Sequence, residues 1–287
     1  MRKGLKVKKA VLLIMSIFVL FIGFLYFQNN SIVTTEKTIQ SSIIPESYNG
    51  FKIIQLSDLH NKSFGEDQRR LIRKVKETNP DLIVFTGDLV GWQKDGLDAG
   101  IVLMENLVDI APTYFVTGNH DKWAMNEQSL ESRLESYGVN LLRDEVEMIS
   151  VGEDMIQLIG IDDRPGFHLN EVERGNSEGE DLNLLEAALA NEFTILLAHR
   201  PELFSLYSDY NVDLVFSGHA HGGQVRLPFI GGLFSPNQGL FPKYTSGDYS
   251  FNDTTMLVNR GLGNSSFPFR IFNRPEIVLV TLSVNKS

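Results

Sequence analysis

The stretch Val215–Pro228, VFSGHAHGGQVRLP, places two histidines, His219 and His221, one residue apart directly after an apolar run. The chain has only six histidines in 287 residues, so the pair is either a set of ligands aimed at one point or the polar part of a turn. A strand directs alternate side chains to the same side, and the flanking glycines permit a tight path. The endings of the other strand-like runs decide between the two interpretations.

Four other apolar, strand-like runs end in residues of the same chemical kind. The endings are SDLH (Asp58, His60), TGDLV (Asp88), TGNHD (Asn119, His120, Asp121) and AHRP (His199). Each ending taken alone is explained as well by a turn or a core histidine. However, ligands gather beyond the carboxyl ends of strands in open α/β sheets, and independent turns have no reason to place oxygen and imidazole groups at every strand exit. The set as a whole therefore predicts a metal site.

Composition limits which metals the chain can bind and which partners it can have. The chain has no cysteine, so any metal must be held by imidazole, carboxylate or amide oxygen, a ligand set that suits Mn²⁺, Fe or Zn²⁺. Residues 28–287 carry 21 basic and 36 acidic side chains, a net charge of −15. A body this acidic repels nucleic acid, and bound cations would supply the positive charge that an anionic substrate needs.

The order of the elements predicts an α/β fold with layered (α+β) packing. Between residues 51 and 138 strand-like and helical runs alternate: Leu71, Ile72 and Val75 fall on one helical face, and Gly138 closes a later helix. Strand-like runs dominate from MIQLIGID onward and include FTILLAHR, VDLVFSGHAH, GGQVRLP, TTMLVNRGLG and EIVLVTLSV. The acidic segment 171–181, EVERGNSEGED, is typical of a solvated surface loop.

The N-terminus differs from the rest of the chain. Residues 1–9 carry five basic side chains and form a basic leader, whereas residues 10–27 carry no charge. As a helix these uncharged residues would span about 27 Å, enough to form a transmembrane anchor. No small-x-small cleavage site follows, which favours a retained anchor over a removed signal peptide. The basic flank predicts a single-pass protein of the cell membrane with its N-terminus inside. Residues 28–50 are interpreted as an irregular tether, and the catalytic domain is expected outside the cytoplasm.

The five motifs resemble, in order, those of the calcineurin-like metallophosphoesterase superfamily: D-x-H, G-D, G-N-H-D/E, H and G-H-x-H, over residues 51–225. Two later segments, GGQVRLP and NRGLG…FNRPEIVLVTL, are similar to a bacterial membrane-associated branch of this superfamily that is related to UDP-2,3-diacylglucosamine pyrophosphatase. The resemblance implies the metallo-dependent phosphatase fold, a β-sandwich of two mixed sheets flanked by helices, over residues 51–284.

The resemblance also implies a site with two divalent metal ions. Asp58, His60 and His221 would hold one ion, and Asn119, His199 and His219 the other. Asp88 would bridge both. Two such ions lower the pKa of a bridging water, and the resulting hydroxide attacks phosphorus in line. His120 would be the general acid on the leaving oxygen, with Asp121 orienting it or raising its pKa.

The substrate stays open at this point. A phosphodiesterase or pyrophosphatase on membrane or wall phosphoesters, a phosphomonoesterase on a soluble or protein-bound phosphate, and a non-catalytic scaffold all fit the motifs, although the scaffold predicts missing ligands. Two segments, 227–234 (LPFIGGLF) and 267–272 (FPFRIF), are unusually apolar for loops and either contact a lipid-linked substrate or pack in the core. The candidate phosphate clamps are Arg200, Arg226, Arg260 and Arg270.

Overall fold

Two six-stranded sheets face each other in the computed structural model, which describes residues 2–91, 97–121, 129–163, 186, 191–265 and 267–285. The first sheet has the order β1 (Val33–Ser41), β16 (Glu276–Val284), β2 (Lys52–Leu56), β3 (Leu82–Thr86), β4 (Thr113–Val116) and β5 (Asn140–Leu141). The second has the order β14 (Gly247–Phe251), β15 (Thr254–Val258), β9 (Leu214–Ser217), β8 (Thr194–Leu197), β7 (Asp154–Gly160) and β6 (Glu145–Val151).

Both sheets are mixed. In the first, β16 is antiparallel to β2 and the other neighbours are parallel. In the second, the outer pairs β14–β15 and β6–β7 are antiparallel and the inner pairs are parallel. The predicted sandwich of two mixed sheets is therefore confirmed.

Alternation along the buried strands separates the core into layers. On β3, Leu82 and Val84 pack between the two sheets, while Ile83 and Phe85 face the helices that cover the first sheet. This is the two-residue period of a strand that is buried on both faces. A third apolar cluster covers the outer face of the second sheet.

Five α-helices are found among the described residues, and the apolar residues of all but the first pack on the outer faces of the sheets. They are α1 (Arg2–Asn30), α2 (Arg69–Thr78), α3 (Leu97–Val108), α4 (Ser129–Ser136) and the short α5 (Phe204–Tyr207). The predicted face of α2 is confirmed, since Leu71, Ile72 and Val75 are buried. The chain leaves α4 at Gly138, whose φ of +85° is a left-handed conformation suited to glycine.

Two short hairpins follow β9. In the first, β10 (Arg226–Leu227) pairs with β11 (Gly231–Gly232), and in the second β12 (Phe234–Ser235) pairs with β13 (Gly239–Leu240). Each stands as a separate two-stranded sheet, so GGQVRLP joins neither main sheet. The segment 171–181 lies outside the described residues.

The prediction of an irregular tether over residues 28–50 is wrong. Helix α1 continues to Asn30, and β1 pairs in parallel with β16 from Val33↔Glu276 to Ser41↔Val284. The strand sits at the edge of the sheet and is polar, with Ile39 packed against the inter-sheet core. Polar edge strands lack the apolar run that marks a buried strand. The polar sequence VTTEKTIQS therefore resembles a linker.

Helix α1 is the one helix among the described residues that is long and apolar enough to cross a membrane. The candidate span covers Lys6–Asn30, with a mean hydropathy of 2.8. No residue of its apolar window is buried, in contrast to the core helices of a soluble domain. The sequence prediction of an apolar N-terminal helix is thereby confirmed.

We expect Phe85→Ala to destabilise the fold strongly. Phe85 is fully buried and packs on Phe115, with ring centroids 5.8 Å apart, so truncation should cost about 3–5 kcal/mol. The matched control, Phe251→Ala, removes a half-exposed ring on β14 and should change stability by less than about 0.5 kcal/mol. Denaturant unfolding of the two variants checks this, and equal losses would contradict the assigned packing.

Candidate metal centre

The predicted ligands converge at one edge of the sandwich. Strands β2, β3 and β4 run parallel in the first sheet and β8 and β9 in the second, and each leads into a ligand within three residues. The sheets are joined at this edge by buried Gln55, whose side-chain amide donates to Thr86 Oγ1 (3.0 Å) and to the Ser217 carbonyl (2.9 Å). The His219 N–H donates to both Asp58 carboxylate oxygens at 3.1 Å.

Two groups of donor atoms form at this edge, and each spans less than 4.8 Å. The first consists of Asp58, His60, Asp88 and His221, and the second of Asp88, His199 and His219.

The Asp88 carboxylate is common to the two groups. Its Oδ2 atom lies 3.5 Å from His60 Nε2 and 3.4 Å from His199 Nε2. In the first group His60 Nε2 lies 3.0 Å from His221 Nε2, and in the second His199 Nε2 lies 3.1 Å from His219 Nδ1. One nitrogen of each of these histidines thus lies within 4.8 Å of an Asp88 carboxylate oxygen.

Five of the seven predicted ligands have a left-handed backbone. Their φ angles lie between 47° and 64°, in Asp58, His60, Asp88, His219 and His221. A non-glycine residue in this region costs of order 1–3 kcal/mol and is found mainly at functional sites. The turns after β2, β3 and β9 are therefore strained, and the surrounding structure must hold them in this conformation.

His199 is oriented by a hydrogen bond on its far side. Its Nδ1 donates to the Thr86 carbonyl at 2.7 Å, which leaves Nε2 directed at Asp88. A second partner that fixes the tautomer and ring orientation is typical of a metal-ligating histidine.

Burial keeps two of the histidines neutral. It lowers the pKa of His60 to about 4 and that of His219 to about 3, so both present lone pairs at pH 7. Burial also lowers the pKa of His199, but the Asp88 and Asp58 carboxylates outweigh it and raise the value to about 10. The neighbouring carboxylates thus stabilise a positive charge at this position, and a divalent cation would be stabilised in the same way.

These residues fit two divalent cations. Every donor is an imidazole nitrogen or a carboxylate or amide oxygen, the set expected for Mn²⁺, Fe or Zn²⁺. Asn119 Oδ1 is buried and accepts no hydrogen bond within the described part of the chain, and its neighbour His120 donates its backbone N–H to Asp88 Oδ1 at 2.8 Å. The Asn119 amide oxygen is therefore available as a further ligand at the same edge.

His120 and Asp121 have different surroundings. The ring of His120 lies 4.7 Å from the ring of His60, and its Nε2 lies 3.9 Å from Asp88 Oδ2. The Asp121 carboxylate accepts the backbone N–H groups of Asp88 (2.7 Å), Gly118 (2.8 Å) and Val90 (3.0 Å). These contacts place Asp121 under the loops that carry Asp88 and Asn119, and its predicted role toward His120 stays a prediction.

Several residues that shape the site were missed by sequence reasoning. Asn273 donates to the His221 carbonyl at 2.7 Å, and the Gly263 N–H donates to the Asp58 carbonyl at 2.6 Å. A Cβ on Gly261, whose φ is +71°, would lie 2.7 Å from the Asp58 Cβ. The stretch NRGLG contains both glycines. It entered the prediction only through the family resemblance, although it could have indicated these two positions.

The four candidate phosphate clamps all have protein partners. Arg200 pairs with Asp163 at 2.8 Å and Arg260 with Glu276 at 2.7 Å. Arg226 donates to the Gly222 carbonyl at 2.8 Å, and buried Arg270 donates to backbone carbonyls, including that of Arg260 at 2.9 Å. Their contacts support the loops around the site.

Comparison with known proteins agrees with this geometry. The calcineurin-like phosphoesterase family matches residues 51–223, which contain all seven predicted ligands. The chain belongs to this family. The family and the names of its relatives make the protein a phosphoester hydrolase.

Three relatives of this family member extend the likeness beyond the motifs. The uncharacterised metallophosphoesterase YkuE of Bacillus subtilis (strain 168) is 36% identical over 90% of this chain and 87% of its own length. Phosphodiesterase YaeI of Escherichia coli (strain K12) is 29% identical over 81% of this chain and 82% of its own. A "transmembrane protein with metallophosphoesterase domain" of Danio rerio is 31% identical over 83% of this chain and 54% of its own.

We expect Gly118→Ala to disrupt the centre while the sandwich stays folded. A Cβ at Gly118 would overlap the Asp88 carboxylate, so metal content and turnover should both fall at least tenfold. The matched control is Gly23→Ala, since a Cβ there has no neighbour within 4 Å. Elemental analysis of the purified variants checks this, and wild-type metal content in the Gly118 variant would contradict the assigned position of Asp88.

Proposed function

We propose that the protein is a dinuclear metal-dependent phosphodiesterase or pyrophosphatase that acts on membrane- or wall-associated phosphoesters. The observation that carries the proposal is the position of the Asp88 carboxylate, within 3.5 Å of a histidine nitrogen from each ligand group. One carboxylate shared between two sets of imidazoles is an arrangement that suits a pair of adjacent cations.

Each cation has its own ligand set in this proposal. Asp58, His60 and His221 would hold one, Asn119, His199 and His219 would hold the other, and Asp88 would contact both. When bound, the two cations supply Lewis-acid chemistry that activates water and neutralises phosphate charge. The ligand set favours Mn²⁺, Fe or Zn²⁺.

Of the remaining polar residues, one would donate the proton and two would position the ligands. His120 would give a proton to the leaving oxygen from the rim of the site, where its backbone N–H is anchored on Asp88. Asp121 would act as a positioning residue, because its carboxylate ties the β3 and β4 exit loops together. Thr86 would keep the His199 ring in place through its carbonyl.

A diester or pyrophosphate substrate is favoured over a monoester by the relative named phosphodiesterase YaeI. A non-catalytic scaffold is disfavoured because all seven ligand positions and His120 carry the required residue types.

The site lies on the membrane side of the body in this proposal. Helix α1 would span the bilayer with its basic end inside, and β1 starts three residues after α1. Strand β1 begins where β16 begins, which is the edge at which β2 ends. Since β2 leads to Asp58, α1 enters the body at the edge that carries the metal centre. A phosphoester attached to a lipid would reach such a centre directly.

Metal-dependent cleavage of model substrates tests the proposed reaction. We expect full-length protein to lose turnover on removal of metal by a chelator and to recover it with Mn²⁺ or Zn²⁺. Bis-p-nitrophenyl phosphate should be cleaved faster than p-nitrophenyl phosphate. The reverse preference would identify a phosphomonoesterase, and no metal-dependent cleavage of either would contradict hydrolysis by this centre.

We expect His120→Asn to lower turnover by ~10²–10⁴-fold, the usual loss for a general acid, while metal content stays at the wild-type value because His120 is outside both ligand groups. Elemental analysis and steady-state kinetics on the same sample separate the two effects. Undiminished turnover would remove His120 from the reaction, and loss of metal would make it a ligand instead.

A further inference from the structure

Nine large apolar side chains are exposed close to the metal centre. Six belong to the hairpins that follow β9: Leu227, Phe229, Ile230, Phe234, Leu240 and Phe241. Three belong to the segment 267–272: Phe267, Phe269 and Phe272. We call these nine side chains the apolar face. A cluster of this size is typical of an interaction surface, whereas isolated exposed apolar residues are ordinary.

The two parts of the apolar face are physically connected. Val225 and Ile271 form a β-bridge, and the Arg226 N–H donates to the Ile271 carbonyl at 3.0 Å. The Leu233 N–H donates to the Val225 carbonyl at 2.9 Å, and the Phe241 N–H donates to the Leu233 carbonyl at 2.9 Å. Backbone hydrogen bonds therefore hold both hairpins and the segment 267–272 next to one another.

Three of the aromatic residues in this face have a strained backbone. The φ angles are +68° in Phe229, +53° in Phe241 and +50° in Phe272. A bulky residue at positive φ is an outlier, and such strain is usually tied to function. The Phe229 side chain is entirely exposed, and that of Phe241 is 68% exposed, so this strain does not serve core packing.

Helix α1 joins the body at this same surface. The ring centroids of Phe24 and Phe272 are 5.4 Å apart. Asn29 Oδ1 accepts the Arg270 N–H at 3.0 Å. The apolar helix thus continues directly into the apolar face.

Basic residues surround the last turn of α1. The Lys62 ammonium donates to the Asn29 carbonyl, Arg70 donates to the Asn30 carbonyl at 2.5 Å, and the Arg274 guanidinium lies 4.9 Å from the centroid of the Phe27 ring. Lysine and arginine at the end of an apolar span mark the level of lipid headgroups. The body as a whole is acidic, so this local positive charge is a distinct feature.

A small surface cavity lies between the apolar face and the metal centre. The ligand His221 lies on its wall, and so do Phe267 and Phe269 of the apolar face. The apolar face thus extends to the edge of the metal centre.

From these contacts we propose that the apolar face rests on the lipid bilayer, with the tips of Phe229 and Phe241 among the lipids, so that the cavity beside His221 opens at the membrane surface. This inference rests on the membrane insertion of α1 proposed above. A bilayer is favoured over a second copy of the chain or another protein, because the Phe24 ring near the end of the α1 span packs on Phe272 of the face. The membrane surface must therefore pass at this level.

The depth of single spin labels in a bilayer tests this proposal. The chain has no cysteine, so Phe229→Cys and Phe241→Cys each provide a unique site for a nitroxide label. The matched controls are Phe251→Cys and Met155→Cys, exposed positions on β14 and β7 at the opposite end of the second sheet from the metal centre. The full chain is reconstituted into nanodiscs of phosphatidylcholine and phosphatidylglycerol, and collision rates with oxygen and with a water-soluble nickel chelate are compared.

We expect the labels at 229 and 241 to collide more with oxygen than with the nickel chelate, and the control labels to show the reverse. Labels at 229 and 241 that behave like the controls would overturn the proposal. Labels shielded from both reagents would also overturn it and would indicate a protein partner on the face. The measurement needs no turnover, so its failure would leave the proposed hydrolase reaction intact, and failure of the reaction would leave this result intact.

Discussion

The structure around the metal centre depends on a concentration of buried negative charge where the two sheets meet. The carboxylates of Asp58, Asp88 and Asp121 are all buried at one edge, and ionised carboxylates this close are costly unless positive charge compensates them. Burial and the neighbouring Asp88 carboxylate raise the pKa of Asp121 to about 7. The positive-φ turns that carry the ligands add further cost. Cations between the histidine groups would offset both, so metal binding and stability of this edge are linked.

The convergence of the candidate ligands could be predicted because strand ends and side-chain chemistry are local in sequence. The apolar runs before Asp58, Asp88 and His219 mark buried strands, and the residues that follow are metal-binding types. Strand β1 could not be predicted, because VTTEKTIQS is a polar edge strand whose pairing depends on β16, more than 230 residues later. The contacts of Thr86 and Asn273 escape prediction for a related reason, since they join backbone carbonyls and side chains from distant segments.

The motif GNHD shows how neighbouring residues in one short sequence come to have different structural roles. Asn119 presents a buried amide oxygen, His120 lies at the rim of the centre, and Asp121 receives three backbone N–H groups beneath it. The sequence identifies all three residues, but it does not reveal the backbone contacts of Asp121. Those contacts form because the loops after β3 and β4 converge in space, which brings the amides of Asp88 and Val90 over the Asp121 carboxylate.

Anomalous diffraction from crystals of the full chain loaded with Mn²⁺ is the most direct test of a centre built on a shared carboxylate. We expect two anomalous peaks, both within coordination distance of the Asp88 carboxylate, one beside His60 and His221 and the other beside His199 and His219. A single peak, or two peaks of which one does not contact Asp88, would contradict the dinuclear centre.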